Sequence, residues 1–352
     1  MIFGVDIGGA HIKLTQLAEI DENLEVKFAC QSFSEKGEMI DKLLSFITRP
    51  DLVIITQTLC ANRYLFSSIK EGTEYIIDVT EKIFGEKVKY IGLPCKLHMP
   101  SEAKRHYLKV AGRNWIATCY LASSYLGLFE NGLVIDCGTN STDIVPLHDS
   151  RPVTLDEDDR VYTRLKTGEL LWSGLYFTHI PSISHTIILD DEEFQVKPTT
   201  RATSYDIYVV LGMISPENIA AKYSIWRRDM TFEASVGRML DVISADRDLL
   251  SVNDAQKIAQ FLAEKQRINT EKAIRKVFST AKEKYGTEKI AAIAGAGKDI
   301  ILCRALKNLG FEEIIDIEKA ASEKLIIRDF EINCETSLGC ALMGLQAIRK
   351  GI

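Results

Sequence analysis

The chain has 352 residues, 46% of them hydrophobic and 26% charged, with a formal net charge of −6. This is ordinary globular composition, long enough for two domains of roughly 150 residues each. The negative balance gives no electrostatic reason to bind nucleic acid or an anionic membrane, and no apolar run approaches the ~18 residues of a membrane helix.

Met1 leads straight into an apolar strand predicted at residues 2–6, with no basic segment or cleavable leader before it, which predicts a cytoplasmic protein. Further strands are predicted at 12–17 and 25–30, a helix at 38–47, and a strand buried on both faces at 52–56. A helix at 73–84, a strand at 88–92 and helices at 100–110 and 114–128 follow. The pattern restarts at Gly132: a strand ends on Asp136, then a glycine turn, then a strand at 142–146, echoing residues 2–17 as an internal duplication. Residues 203–285 read as mostly helical. A strand at 290–294, a helix at 299–309, a strand at 314–317 and a closing helix from 340 complete the chain. The expected division is a first domain of residues 1–131 closed by helix 340–352, and a second of 132–339 that contains the helical subdomain 203–285. The eight cysteines form no C-x-x-C pair and sit mostly in apolar contexts, as reduced core thiols do.

Three glycine turns carry the chemistry. In Asp6-Ile7-Gly8-Gly9-Ala10-His11-Ile12-Lys13, a buried strand delivers a carboxylate, and Gly8 and Gly9 permit a tight turn whose N–H groups can face a phosphate. An ordinary β-hairpin would use the same glycines. Asp136-Cys137-Gly138-Thr139-Asn140-Ser141 repeats the device. Asp6 and Asp136, facing each other across a cleft, make sense as holders of Mg²⁺ between phosphate oxygens. Gly295-Ala296-Gly297, between a strand and a helix, is a third turn of the kind that binds anions or nucleotides, although it lacks P-loop spacing. His11, beside the first turn, is a candidate base, or a donor to a departing phosphate oxygen. Lys13, on His11's face of the strand, is a candidate phosphate ligand. Arg164 and Lys166 are candidates to meet an acidic substrate, and His179 and His185 read as structural.

In this order the turns resemble the phosphate-1, phosphate-2 and adenosine motifs of the actin-like ATPase superfamily. That likeness implies a two-domain α/β fold, ribonuclease H-like in each half, with a ligand cleft between the domains. Asp6–His11, Asn114-Trp115, and Thr167-Gly168-Glu169-Leu170-Leu171-Trp172-Ser173-Gly174 with Thr178 and Pro181 resemble the hydantoinase/oxoprolinase branch. Within it, residues 4–13 are similar to an archaeal group assigned to methanofuran biosynthesis. The resemblance implies a transferase whose partners are a small-molecule diphosphate and a phenolic amine: an aminomethyl-furan-methyl diphosphate and γ-glutamyltyramine, joined as an ether with release of diphosphate. Mg²⁺ is the implied cofactor. One departure stands out: Gly9-Ala10-His11 replaces the branch's usual Gly-Gly-Thr, so the hydroxyl that commonly contacts phosphate is missing and ATP hydrolysis is put in doubt. An ATP-dependent small-molecule kinase and a non-catalytic nucleotide-binding assembly protein remain alternatives, and homo-oligomerisation is left open.

Overall fold

Short runs of Val, Ile and Leu recur along the chain, and strands of this composition are stable where both faces are covered. A computed structural model describes residues 1–9, 11–20, 23–33, 35–156, 160–216, 229–327 and 334–351. Its strands, in chain order, are Ile2–Ile7 (β1), His11–Ile20 (β2), Asn23–Ser32 (β3), Leu52–Gln57 (β4), Val88–Gly92 (β5), Lys96–His98 (β6), Gly132–Cys137 (β7), Thr142–His148 (β8), Arg151–Pro152 (β9), Leu170–Leu171 (β10), Thr186–Leu189 (β11), Glu192–Gln195 (β12), Ile290–Ala294 (β13), Glu313–Asp316 (β14) and Ile326–Ile327 (β15).

Among the described residues, a seven-stranded sheet runs β15-β3-β2-β1-β4-β5-β6, and a six-stranded sheet runs β10-β8-β7-β13-β14 with β9 paired to β8. β1 is antiparallel to β2 and parallel to β4, which is parallel to β5. β7 repeats the scheme, antiparallel to β8 and parallel to β13, which is parallel to β14. The duplication in the sequence is therefore a duplication of topology, and the fold is the α/β actin-like ATPase fold.

A layer of side chains between the sheets includes Ile54, Trp115, Val134, Val145 and Leu338, all buried. Two helical segments supply much of it. Asn114–Cys119 continues as a π-helical stretch, Tyr120–Tyr125, and the closing helix spans Glu335–Arg349. The closing helix begins five residues earlier than the sequence predicts. Its first turn is polar and is held by hydroxyl pairs, Thr15 to Ser337 at 2.7 Å and Thr118 to Thr336 at 3.0 Å, which leave no apolar period to read. It lies so close to β1 that a Cβ at Gly4 would overlap the Ser337 carbonyl.

The region expected to be helical contains Ser204–Val210, Phe232–Asp241 and Val252–Tyr285. The last starts with a capping box between Ser251 and Asp254 and stops at left-handed Gly286; residues 217–228 lie outside the described residues. Asp190 and Asp191, at φ 49° and 67°, form the hairpin turn that joins β11 to β12. No helix among the described residues is long and apolar enough to cross a membrane.

Candidate functional site

The two duplicated hairpins end in the same way. Ile7 pairs with Ile12 and Cys137 with Thr142, closing each ladder. The Gly8 N–H then donates to the His11 carbonyl at 2.8 Å, and the Gly138 N–H to the Ser141 carbonyl at 2.9 Å. Position by position, Asp6 corresponds to Asp136, Gly9 to Thr139, His11 to Ser141 and Lys13 to Asp143. Gly9 and Asn140 stand exposed at the tips. Ala10 lies outside the described residues.

The charges at the two strand ends differ. Directly across from Asp6 is Lys13, whose Nζ is 3.3 Å from Asp6 Oδ2. Burial pushes the Asp6 carboxyl above its usual range, and the adjacent ammonium offsets part of that. Burial alone would weaken the Lys13 ammonium, but Asp6 and then Asp136 outweigh it and hold the lysine charged. Across from Asp136, at the same register, stands a second carboxylate, Asp143. Burial pushes Asp136 up to about 7; Lys13 pulls it down, while Glu335, Asp143 and Asp6 add to the rise. Asp143 is answered from behind by Arg164, Nη1 to Oδ1 at 2.7 Å, and the guanidinium lies 4.8 Å over the Trp115 ring. Lys13 is thus the cation shared between the carboxylates of the two hairpins.

His11 is buried, 7% exposed, and burial followed by the Lys13 charge lowers its pKa to about 4, so the ring is neutral at pH 7. Phe177 lies parallel to it, with ring centroids 6.5 Å apart and an interplanar angle of 0°. Phe177 belongs to a segment wrapped around the second turn. The Leu175 N–H donates to the Gly138 carbonyl, and the Tyr176 and Phe177 N–H groups both donate to the Thr139 carbonyl. Thr142 Oγ1 donates to the Ser173 carbonyl at 2.6 Å, and Gln266 Nε2 reaches Ser173 Oγ and the Gly174 carbonyl, both at 2.9 Å.

The third turn meets the same place. Gly295 has φ 87°, and a Cβ there would overlap Asp136 Oδ1, so glycine is required on both counts. Two N–H groups of this turn already have partners. Gly295 donates to Glu335 Oε1 at 3.2 Å, and Gly297 to the Cys137 carbonyl at 2.8 Å. Lys298 is buried and bridges Asp316, at 2.9 Å, and Glu318. Ala296 sits between these anchored glycines, packed against the core of the second sheet.

The structure therefore brings Asp6, His11, Lys13, Asp136 and the three turns together. Lys13 lies on the carboxylates, not at the turn tips. Arg164 has an internal acid, Asp143, while Lys166 is exposed and pairs with Asp156 at 3.1 Å. His179 and His185 are exposed, His179 at the start of helix Ile180–Ile183. Sequence reasoning missed Asp143, Glu335 and Phe177. Asp143 was within reach, since it follows Asp136 by the same seven positions that separate Lys13 from Asp6; Glu335 and Phe177 carry no periodic signal.

The donor set suits a hard cation. Asp6 Oδ1 is buried with no hydrogen-bond partner among the described residues. No group of three His, Cys, Asp or Glu side chains placed to hold a metal occurs among them. Mg²⁺ needs only one or two carboxylates when phosphate and water complete its shell, so Asp6 and Asp136 fit it.

Comparison with known proteins gives four matches. The family model described as Hydantoinase/oxoprolinase matches residues 56–324. A Methanocaldococcus jannaschii protein named (4-{4-[2-(gamma-L-glutamylamino)ethyl]phenoxymethyl}furan-2-yl)methanamine synthase is 28% identical over 309 residues, 86% of this chain and 87% of that one. A Methanococcus vannielii protein of the same name is 27% identical over 175 residues, 49% of this chain and 73% of its own. Among solved structures, a nucleotide-free acetone carboxylase matches with a TM-score of 0.56 at 10% identity, over 97% of this chain and 70% of that one, a likeness of fold alone.

Proposed function

The chain belongs to the hydantoinase/oxoprolinase family, and on that premise we propose that it is a methanofuran-biosynthesis transferase. It joins an aminomethyl-furan-methyl diphosphate to the phenol of γ-glutamyltyramine and releases diphosphate. The observation that carries the reading is the 28% identity over 86% of the chain to a protein whose name contains a phenoxymethyl-furan, the ether this reaction makes.

The geometry suits the step. The furylic C–O bond breaks, and its electron pair leaves with the diphosphate. The positive charge left on carbon is shared with the furan ring. The phenol oxygen then forms the new C–O bond and gives up its proton. The tips at Gly9 and at Thr139–Asn140 receive the diphosphate from opposite sides, and Ser141 adds a hydroxyl. Asp6 and Asp136 would hold Mg²⁺, which supplies Lewis-acid neutralisation of the leaving charge. Lys13 keeps the two carboxylates from repelling each other before substrate arrives. His11 takes the phenol proton. Its ring starts neutral, and a bound diphosphate raises its basicity, because nearby negative charge favours the imidazolium.

The test is direct. Purified protein with Mg²⁺, the furan diphosphate and γ-glutamyltyramine should yield the ether and one equivalent of diphosphate by mass spectrometry. No ether, together with a phosphorylated small molecule when ATP is supplied, would replace this reading with a kinase.

A further inference from the structure

We propose that Arg63, on a loop that Asn62 pins to the first turn, is the side chain that grips the diphosphate there and follows it as it leaves. This rests on the transferase reading above and gives it a phosphate ligand that neither the family match nor the relatives' names provide.

The need for such a group comes from charge. A diphosphate ester carries more negative charge than a single Mg²⁺ offsets, because a terminal phosphate loses its second proton at about pH 6. Asp6 and Asp136 would take up part of the metal's charge themselves. The cations beside the turns are spent on internal acids: Lys13 on Asp6 at 3.3 Å, Arg164 on Asp143 at 2.7 Å and Lys298 on Asp316 at 2.9 Å. A cation with donors to spare has to come from another segment.

The loop after β4 supplies one. The Thr58 N–H donates to the Ile7 carbonyl at 2.9 Å, which ties the start of the loop to the end of β1. Asn62 Nδ2 reaches the carbonyl of Gly9, at the tip of the first turn, at 3.4 Å. Asn62 Oδ1 accepts from the Tyr64 N–H at 2.9 Å, and the Asn62 carbonyl accepts from the Phe66 N–H at 3.1 Å. Cys60 and Phe66 are buried on either side, and Arg63 and Tyr64 stand exposed between them.

Consecutive Cα atoms lie about 3.8 Å apart, so Arg63 starts one short step from the residue that touches Gly9. It makes one hydrogen bond, Nη1 to the Cys60 carbonyl at 3.2 Å, and no ion pair among the described residues. The rest of its guanidinium fork is uncommitted, and that fork matches phosphate oxygens in pairs. The tip has room for them, since a Cβ placed on Gly9 would meet nothing within 4 Å. Turning to a phosphate over Gly9 exchanges one bond to a carbonyl for stronger, charge-assisted ones.

The experiment measures inorganic diphosphate binding by calorimetry, with and without Mg²⁺, for wild type, Arg63→Met, Arg63→Lys and Tyr64→Ala. Arg63→Met should weaken binding about 10–100-fold, as loss of hydrogen bonds to a charged group does. Arg63→Lys, which keeps the charge and loses the fork, should fall between. Tyr64→Ala removes an exposed ring but not the N–H that Asn62 holds, so it should bind within about twofold of wild type. Ether formation by Arg63→Met should fall too, while the KM for γ-glutamyltyramine holds. Unchanged diphosphate affinity in Arg63→Met overturns the proposal. So does an equal loss in Tyr64→Ala, which would make the fold of the loop the cause. Wild type that binds diphosphate yet makes no ether condemns the transferase reading alone, because the Arg63 comparison stands on binding; the two failures are separable.

Discussion

In the first hairpin Asp6 faces Lys13; in the second, at the same register, Asp136 faces Asp143. The backbones match down to the hydrogen bond that closes each turn, yet the first carboxylate has a cation beside it and the second has another acid. Arg164 balances that acid from the far side, against Trp115. Two strands with equivalent ends thus deliver two unlike carboxylates. Asp6 gives one oxygen, Oδ2, to an internal pair, and Asp136 is held where burial and neighbouring acids raise its proton affinity. The duplicated scaffold fixes positions, while single residues on it decide roles.

The sharpest way to break the comparison is at its third position, where His11 stands opposite Ser141. His11→Ala should slow ether formation by ~10²–10⁴-fold, as loss of a general base does. Ser141→Ala should cost about tenfold or less, as loss of a single neutral hydrogen bond does. The pH profile distinguishes base from brace. With a pKa of about 4, His11 is neutral from pH 6 to 8, so it adds no limb of its own to the wild-type profile there, where Asp136, pushed up to about 7, is the group that titrates. The His11→Ala rate should climb with pH as phenolate, of ordinary pKa about 10, accumulates. Parallel profiles with equal rates would make His11 structural. Stability carries a second sign. The folded pKa lies below the unfolded ~6.5, so only the unfolded chain gains a proton as pH falls from ~6.5 towards 4. Wild type should lose stability across that window, and His11→Gln should flatten the loss in urea titrations.

Next in size is the carboxylate pair. Asp136→Asn should lower turnover by ~100-fold and raise the Mg²⁺ concentration needed for half-maximal rate; unchanged values for both would remove Asp136 from the metal. Lys13→Met tests the other side. It leaves Asp6 buried without its cation, and breaking such pairs costs about 3–5 kcal/mol, so the Tm should drop by many degrees. An unchanged Tm would mean that Lys13 does not carry the pair. The smallest signal should come from nucleotide. With Gly295 and Gly297 donating to Glu335 and Cys137, ATP turnover should stay far below the ~1–100 s⁻¹ of kinases in a phosphate-release assay.

Much of this was legible in the sequence. Short apolar runs, each ending in a glycine turn and two of them delivering an acid just before it, specified β1, β7 and β13 and the order of the turns, because a doubly buried strand and a tight turn each demand particular residue types. The edge strands β6, β9, β10 and β15 were not legible, being two or three residues long. The site was half legible. Asp6, Asp136 and His11 sit on the motifs, but a sequence does not display cross-strand partners until a register is fixed. Lys13 therefore read as a phosphate ligand when its nearest anion is Asp6. Glu335 was hidden for another reason: it opens a helix whose first turn is held by hydroxyls, so no apolar stripe marked where the helix starts.

The contact of β1 and β2 with the closing helix also governs the order in which the protein can be made. Thr15 waits for Ser337, 322 residues later, before its hydroxyl has a partner. On a ribosome the first strands emerge early, but the helix that covers them emerges more than 300 residues later. Domains usually fold as they are synthesised, first half first. Here the leading sheet keeps an uncovered apolar face, open to chaperones, until residues 335–349 have emerged. A nascent chain stalled short of residue 335 should be captured by such holders, and one whose residues 335–349 have cleared the tunnel should not.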